Sequence, residues 1–153
     1  MERISFSELE ASLNELPWKS SQRTIASAVV RWLRDKVPYY NWVGIYWVKD
    51  GDLVLGPWSG PTASQHVHIP GGTGICGFSA NEGKTVIVPD VRAEPGYLAC
   101  FINTRSEIVV PILKDEEIIG VLDIDSDEVD PFNTEDQEFL EKIMIRLAEK
   151  DRN

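Results

Sequence analysis

Apolar residues recur at helical spacing in the first quarter of the chain. They fall three or four positions apart until Pro17 closes the first segment. Ser20 and Ser21 then offer N-caps for a second helix, which Pro38 ends. The apolar positions are Phe6, Leu9, Leu13 and Leu16 in the first helix and Ile25, Ala28, Val29, Trp32 and Leu33 in the second. Each set lies on one helical face and predicts that this face is buried.

From Tyr39 onward the apolar period changes to two, which predicts strands. A hairpin turn is predicted at residues 49–51, and a glycine-rich loop at residues 70–74 leads into a short helix ending at Gly83. The connection 90–103 has no period of its own, and a long loop in a compact domain is often functional. The predicted strands are residues 41–48, 52–58, 65–69, 84–88, 106–113 and 118–126.

A last helix follows the strands. Thr134 is its predicted N-cap, and Gln137 three residues later completes a capping box. Its apolar stripe is Phe139, Leu140, Ile143, Met144 and Leu147. Consecutive hairpins between helices predict an α+β fold, with a mainly antiparallel sheet of about six strands and helices packed on one face.

Composition narrows the function classes. The 153 residues are 42% apolar and 26% charged, which predicts one globular domain over residues 1–153. The net charge of -10 argues against nucleic-acid binding and against docking on anionic membranes. The N-terminus shows no signal-peptide pattern, and no apolar run approaches the roughly 20 residues that span a bilayer. We therefore expect a cytoplasmic protein, in which two cysteines are inert or redox-active thiols rather than a permanent disulfide.

The hairpin of residues 106–125 carries three carboxylates on one predicted face. Matching the apolar faces of its strands aligns Ile108 with Ile124 and Val110 with Leu122. That register requires a three-residue turn or a bulge. It places Glu107 opposite Asp125, with Asp123 one step along the same face.

Two explanations of these carboxylates stay open. Like charges directly opposite one another destabilise a sheet, and such conflicts tend to mark functional sites. A functional cluster would bind a cation, either a metal such as Mg²⁺ or an ammonium group. The alternative is a solvated sheet face, on which aspartate is tolerated because it is exposed. The sequence offers no second motif that would complete a dedicated metal site.

Trp42 and Tyr46 share the face of a predicted strand, with Gly44 between them leaving space above the backbone. Aromatic rings and carboxylates around a gap would form a cage for a small zwitterion, in which π faces and anions hold the ammonium. The alternative is that both rings belong to the core.

The two cysteines lie in loop or loop-to-helix settings. Cys76 is just inside the short helix, whose N-terminus favours a thiolate, and Cys100 is in the long connection. Each can instead be a small buried apolar residue. His66 and His68 share a predicted strand face, and two histidines alone are weak evidence for a metal site.

Together these residues resemble a known family. The strings NWVGIYW, LVLGPWSG, IPGGTGICG, GYLACF, RSEIVVPI and GVLDIDS, in this order and spacing, are similar to the GAF-domain free methionine-(R)-sulfoxide reductases. The similarity covers nearly the whole chain. It implies a GAF fold with a six-stranded antiparallel sheet flanked by N-terminal and C-terminal helices, commonly a homodimer, without a bound cofactor.

The resemblance also assigns roles. Cys100 matches the catalytic cysteine, although Tyr97 stands where a histidine is usual, and Cys76 matches a second family cysteine. His66 occupies the position of a third cysteine that often resolves the reaction. The residues that match substrate-binding positions are Glu107, Asp123, Asp125, Trp42 and Tyr46.

The implied activity is thiol-dependent reduction of free methionine sulfoxide. Cys100 would become a sulfenic acid, Cys76 would form a disulfide with it, and a thioredoxin-like reductant would reopen that bond. Two other hypotheses are a non-catalytic GAF sensor that binds a small ligand and a metal-dependent enzyme that uses the carboxylates.

Overall fold

The structure is a computed structural model that describes residues 4–64, 66–93 and 103–152. Its helices are α1 (Glu10–Asn14), α2 (Gln22–Lys36), α3 (Gly74–Glu82) and α4 (Thr134–Ala148), with 3-10 turns at Phe6–Leu9 and Val91–Ala93. Its strands are β1 (Trp42–Lys49), β2 (Asp52–Ser59), β3 (His68–Ile69), β4 (Val86–Val88), β5 (Ser106–Lys114) and β6 (Glu117–Ser126).

The six strands form one sheet in the order β3-β2-β1-β6-β5-β4, and every neighbouring pair is antiparallel. Helices α2 and α4 pack on one face of the sheet. Helix α3 packs against β5 and β6 from the other face, where Cys76 joins a second apolar cluster. The α+β fold is confirmed, whereas the prediction that the helices share one face is wrong for α3. The site described below lies beneath α3.

The main core lies between the sheet and the helices α2 and α4. Ile25 and Val29 of α2 are fully buried, as the helical spacing predicts, and the Ser21 side chain caps this helix by accepting a hydrogen bond from the Thr24 N–H. The sheet residues of this core are Val43, Ile45, Ile108, Val110, Ile112, Leu122 and Ile124. None of the helices in the described ranges is both long and apolar enough to cross a membrane.

The N-cap of α4 differs from the prediction by one residue. Asn133, not Thr134, accepts the capping hydrogen bonds, and its partner in the capping box is Asp136 rather than Gln137. The Asp136 carboxylate also accepts hydrogen bonds from the hydroxyls of Tyr39 (2.9 Å) and Tyr40 (2.7 Å). Tertiary contacts thus fix the start of α4, because they hold Asp136 in the position that completes the box.

Strands β3 and β4 are shorter than predicted. His66 precedes β3 because its N–H donates to the Ser64 hydroxyl, 3.0 Å away. Lys84 precedes β4 because its carbonyl accepts a hydrogen bond from the Ser79 hydroxyl at the end of α3, 2.8 Å away. In both places a serine hydroxyl binds a backbone group next to the strand end.

The β5–β6 hairpin has the predicted register. Ile108 pairs with Ile124 and Val110 with Leu122, and the required irregularity is a bulge between Ile112 and Leu113. The turn itself has two residues, Asp115 and Glu116, both at positive φ. The register therefore fixes which side chains face α3.

Candidate functional site

Three carboxylates lie side by side on the sheet face beneath α3. Glu107 pairs with Asp125 across β5 and β6, and Asp123 pairs with Val109. Their exposed fractions are 3% for Glu107, 1% for Asp123 and 2% for Asp125. The solvated-face explanation is therefore wrong, since all three carboxyl groups are buried.

The two aspartates of the cluster lack permanent hydrogen-bond donors in the part of the chain that the structure describes. No oxygen of Asp123 or Asp125 accepts a hydrogen bond from a backbone amide, hydroxyl or side-chain amide within the described residues. The donors beside Asp123 are the Glu107 carboxyl and the Cys76 thiol, which donate only when protonated. An unmatched buried carboxylate is costly, so the cluster favours either a proton or a cation.

Burial raises the pKa of both aspartates. For Asp123, loss of solvent is the main cause, and its neighbours Glu107 and Cys76 and the charge of His66 oppose the rise. The pKa of Asp125 lies well above its ordinary value of 3.8, first because of burial and then because of the negative charge of Asp123. A bound cation would reverse this preference and favour the ionised carboxylates.

Trp42 and Tyr46 lie on the same face as the carboxylates. In β1, Trp42 pairs with Asp125 and Gly44 with Asp123. Both rings are buried, as the core alternative also predicts, and the Tyr46 hydroxyl donates to the Ser64 hydroxyl 3.1 Å away. The predicted open space above Gly44 is filled, since a Cβ built there would lie 2.2 Å from the Trp42 ring. The indole N–H donates to the Thr62 carbonyl at 3.1 Å.

Cys76 enters the site from the first turn of α3. Its residue is 5% exposed, and its sulfur lies within 4.8 Å of carboxylate oxygens of Glu107 and Asp123. The predicted position just inside a short helix is confirmed, because α3 begins at Gly74. Cys100, the predicted nucleophile, lies outside the described residues, as does Tyr97. Their roles stay predictions.

A small cavity of about 10 Å³ lies beside Cys76. It has room for about one water molecule or one monatomic ion. Its lining residues are His66, Ile69, Thr73, Gly74, Ile75, Cys76, Glu107 and Asp123.

His66 belongs to this cavity, which the alternation of residues 65–69 did not predict. The structure separates the two histidines: His66 lies near Asp123, whereas the exposed His68 ring is 2.9 Å from a carboxylate oxygen of Asp52. The available signal was the family spacing, which places a cysteine at position 66, ten residues before Cys76.

Comparisons with known proteins agree with this geometry. The family model for the GAF domain matches residues 21–149. The free methionine-R-sulfoxide reductase of Saccharomyces cerevisiae is 35% identical over 147 residues, covering 94% of this chain and 81% of the yeast protein. The chain belongs to the GAF-domain free methionine-R-sulfoxide reductase family.

Two further relatives place the chain in the same family. The free methionine-R-sulfoxide reductase of Escherichia coli is 38% identical over 115 residues, covering 75% of this chain and 68% of that protein. Among solved structures, the Staphylococcus aureus fRMsr in complex with its substrate superposes with a TM-score of 0.87 at 40% identity, covering 97% of this chain and 96% of the other. The six-stranded antiparallel GAF fold implied by the resemblance is confirmed.

Proposed function

We propose that this chain reduces free methionine-R-sulfoxide to methionine, with the carboxylate cluster holding the substrate ammonium and the two cysteines carrying the redox chemistry. One observation carries the proposal: Asp123 and Asp125 are buried, no permanent donor among the described residues reaches either carboxyl group, and Asp123 lies beside the Cys76 thiol. Family membership supplies the substrate and its R configuration.

The ammonium group of a free amino acid suits the cluster. It brings one positive charge and three N–H donors, and the two aspartates present four oxygens that no permanent donor in the described ranges reaches. Charge-assisted hydrogen bonds of this kind are the strong ones in a buried site. A peptide nitrogen is uncharged and has one N–H at most, so methionine within a polypeptide would leave most of these oxygens unsatisfied.

The aromatic residues would form the apolar wall. The Trp42 indole is fixed by its hydrogen bond to Thr62 and by stacking on Trp58, with ring centroids 6.5 Å apart and planes inclined by 8°. A thioether beside an aromatic ring is a favourable contact. Tyr46, held by Ser64, would support the same wall.

The chemistry begins at Cys100. Its thiolate attacks the sulfoxide sulfur to form a sulfur–sulfur bond, and a protonated carboxyl of the cluster donates a proton to the oxygen. The resulting hydroxyl then moves to the Cys100 sulfur as both the S–O bond and the S–S bond to the methionine sulfur break. Because burial raises the pKa of both aspartates, the cluster can keep one proton for this step while its other carboxylates hold the ammonium. Cys100 ends as a sulfenic acid and methionine leaves as the thioether.

Cys76 completes the cycle as the resolving thiol. It attacks the sulfur of the sulfenic acid, a disulfide forms and one water molecule leaves. A thioredoxin-like dithiol then reduces this disulfide and is itself oxidised. We further propose that residues 1–153 act as one domain without a bound cofactor, in the cytoplasm and as a homodimer.

Replacement of Cys100 tests the activity. With free methionine sulfoxide and a thioredoxin system, Cys100→Ser lowers kcat/KM by at least about a thousandfold relative to wild type. N-acetyl-methionine sulfoxide is a poor substrate of the wild-type protein, because its amine is uncharged. Equal turnover by Cys100→Ser and wild type, or no turnover by wild type, contradicts the proposal, and the latter leaves the GAF sensor.

Replacement of Cys76 tests the resolving step separately. Cys76→Ser releases one methionine per chain in a single turnover and then stalls with thioredoxin as reductant, leaving a sulfenic acid that a dimedone-type probe labels at Cys100. Sustained wild-type turnover by this variant would instead assign resolution to the external thiol.

A further inference from the structure

Donor atoms of three unlike side chains converge beneath the first turn of α3. The Cys76 sulfur and carboxylate oxygens of Glu107 and Asp123 all lie within 4.8 Å of one another. All three residues are buried, and they come from α3, β5 and β6. No sequence motif reveals this grouping, because the ligands are 16 to 47 positions apart in the chain.

Asp123 is the second, independent sign of a cation. Its residue is 1% exposed, it borders the cavity, and no permanent donor among the described residues reaches either of its oxygens. A buried carboxylate in this state is stabilised by a bound cation. His66, which borders the same cavity and interacts electrostatically with Asp123, adds an imidazole to the set.

The dimensions suit a monatomic ion. The cavity of about 10 Å³ holds about one water-sized particle. Ligand atoms around tetrahedral zinc are roughly 3.3–3.8 Å apart, given bonds of about 2.0 Å to oxygen or nitrogen and about 2.3 Å to sulfur. The present separations of up to 4.8 Å therefore need to shrink by about 1 Å, which side-chain rotation can supply.

The mixed ligand set selects the metal. Mg²⁺ and Ca²⁺ prefer oxygen ligands alone, whereas one thiolate, one imidazole and two carboxylates suit Zn²⁺. We propose that Cys76, His66, Glu107 and Asp123 form an inhibitory zinc site in the reduced protein. Binding releases the thiol proton as the zinc–sulfur bond forms, and no oxidation or reduction takes place.

Inhibition is the part that rests on the proposed function. Zinc would occupy the position of the substrate ammonium and also hold Cys76 as a ligand, so that it could not resolve a sulfenic acid. Binding itself requires no catalytic activity, and the two parts are therefore tested apart.

Cobalt(II) is the probe for binding, because it takes the same tetrahedral ligands and absorbs light. The reduced chain of residues 1–153 carrying Cys100→Ser has Cys76 as its single thiol. We expect one Co²⁺ per chain, a near-ultraviolet thiolate-to-cobalt charge-transfer band and the intense visible bands of a tetrahedral site. Zn²⁺ added in equimolar amount displaces the Co²⁺ and removes these bands. The proposal is overturned if the Cys100→Ser protein shows no charge-transfer band. It is also overturned if the band persists when Cys76 is replaced in addition to Cys100.

The two histidines supply a matched pair of variants. His66→Asn weakens Co²⁺ binding at least tenfold, whereas His68→Asn leaves it unchanged because His68 pairs with Asp52 at the surface. Asp123→Asn weakens binding as well. Circular dichroism confirms that each variant is folded. Equal weakening by both histidine variants, or by neither, overturns the assignment of His66.

Measurements of enzyme turnover test the inhibitory part of the proposal. Zn²⁺ inhibits reduction of free methionine sulfoxide competitively with substrate, and a chelator restores the rate. An inactive protein that binds Co²⁺ through Cys76 refutes the proposed function and keeps the zinc site. An active protein that binds Co²⁺ at Cys76 without inhibition by Zn²⁺ refutes the inhibitory role.

Discussion

The two faces of the sheet both carry fully buried side chains, but these side chains differ in chemistry. On the face toward α2 and α4, Ile108, Leu122 and Ile124 pack in an apolar core. On the face toward α3, their sequence neighbours Glu107, Asp123 and Asp125 lie at 3% exposure or less. Burial alone therefore does not distinguish the core from the proposed binding site. The distinction lies in whether the buried polar atoms have permanent partners.

Asp136 sharpens this comparison, because it is a buried carboxylate of the structural kind. It accepts hydrogen bonds from two tyrosine hydroxyls and from the Asn133 N–H. Asp123 and Asp125 have no comparable donors in the described part of the chain. A buried aspartate thus stabilises the fold at position 136, whereas at positions 123 and 125 it requires a bound ligand or a proton.

The largest expected effect is on the apolar face. Ile124→Ala removes a fully buried side chain and lowers the free energy of unfolding by about 2–5 kcal/mol. Urea denaturation measures this loss. The control is Ile145→Ala, an exposed residue of α4 for which the change stays within about 0.5 kcal/mol. A small loss at Ile124 would contradict the assignment of this face as the core.

The next largest effect on the free energy of unfolding is expected from removing the hydrogen-bonded carboxylate of Asp136. Asp136→Ala leaves the hydroxyls of Tyr39 and Tyr40 without their acceptor, at about 1–3 kcal/mol for each buried donor, and also breaks the capping box of α4. We expect a loss of at least about 2 kcal/mol in urea denaturation. An unchanged stability would show that Asp136 is not the structural member of the comparison.

Substitution of an unsatisfied carboxylate should have the opposite sign. Asp125→Asn raises the free energy of unfolding near neutral pH by about 1 kcal/mol, because a buried charge is removed. The folded-state pKa of Asp125 is raised, so its contribution is fully present below its ordinary value of 3.8 and is lost as pH rises through the folded value. The stability difference between variant and wild type should therefore widen as pH increases above 4.

The same variant should lose substrate affinity. A charged hydrogen bond of about 1.5–3 kcal/mol corresponds to an increase in KM of roughly 10- to 100-fold for free methionine sulfoxide. Asp52→Asn, which alters a half-buried carboxylate outside the cluster, is the control and keeps the wild-type KM. Destabilisation of Asp125→Asn at neutral pH together with an unchanged KM would place Asp125 with Asp136 as a structural residue.

The smallest effect is a proton count. Because burial raises the pKa of Asp123 and Asp125, binding of an ammonium should ionise one carboxyl of the cluster and release its proton, while another carboxyl keeps the proton used in catalysis. Calorimetry on Cys100→Ser, in buffers of different ionisation enthalpy, should detect the release of up to about one proton per substrate bound. The affinity for substrate should rise with pH. Proton-neutral binding with a flat pH profile would mean that the cluster is already ionised.

The sequence predicted the parts of this arrangement that local pattern controls. Alternation and the matched apolar faces were sufficient for the β5–β6 register, and hence for the shared face of Glu107 and Asp125. The N-cap of α4 was misplaced because Asn133 and Thr134 both fit a capping box, and the choice depends on Tyr39 and Tyr40 from a distant segment.

Other features depend on tertiary structure and could not be predicted from the hydrophobic and polar pattern of the sequence. Burial of the carboxylates depends on α3 crossing that face, and the helical period of residues 74–82 does not specify the side of the sheet. His66 was assigned to a strand, whereas its N–H binds Ser64 and its ring borders the cavity. The spacing to Cys76 was informative, but its meaning required the family.

The Trp42 ring has a consequence for how this protein can evolve. It occupies the volume that a side chain at Gly44 or Gly60 would need, since a Cβ at either position would lie 2.2 Å from an indole carbon. The residues at these three positions therefore constrain one another in evolution. Gly44 or Gly60 can be replaced by a larger residue only where a smaller side chain already stands in place of Trp42. A protein with that smaller side chain would also have a differently shaped surface beside Asp125, which pairs with Trp42 across β1 and β6.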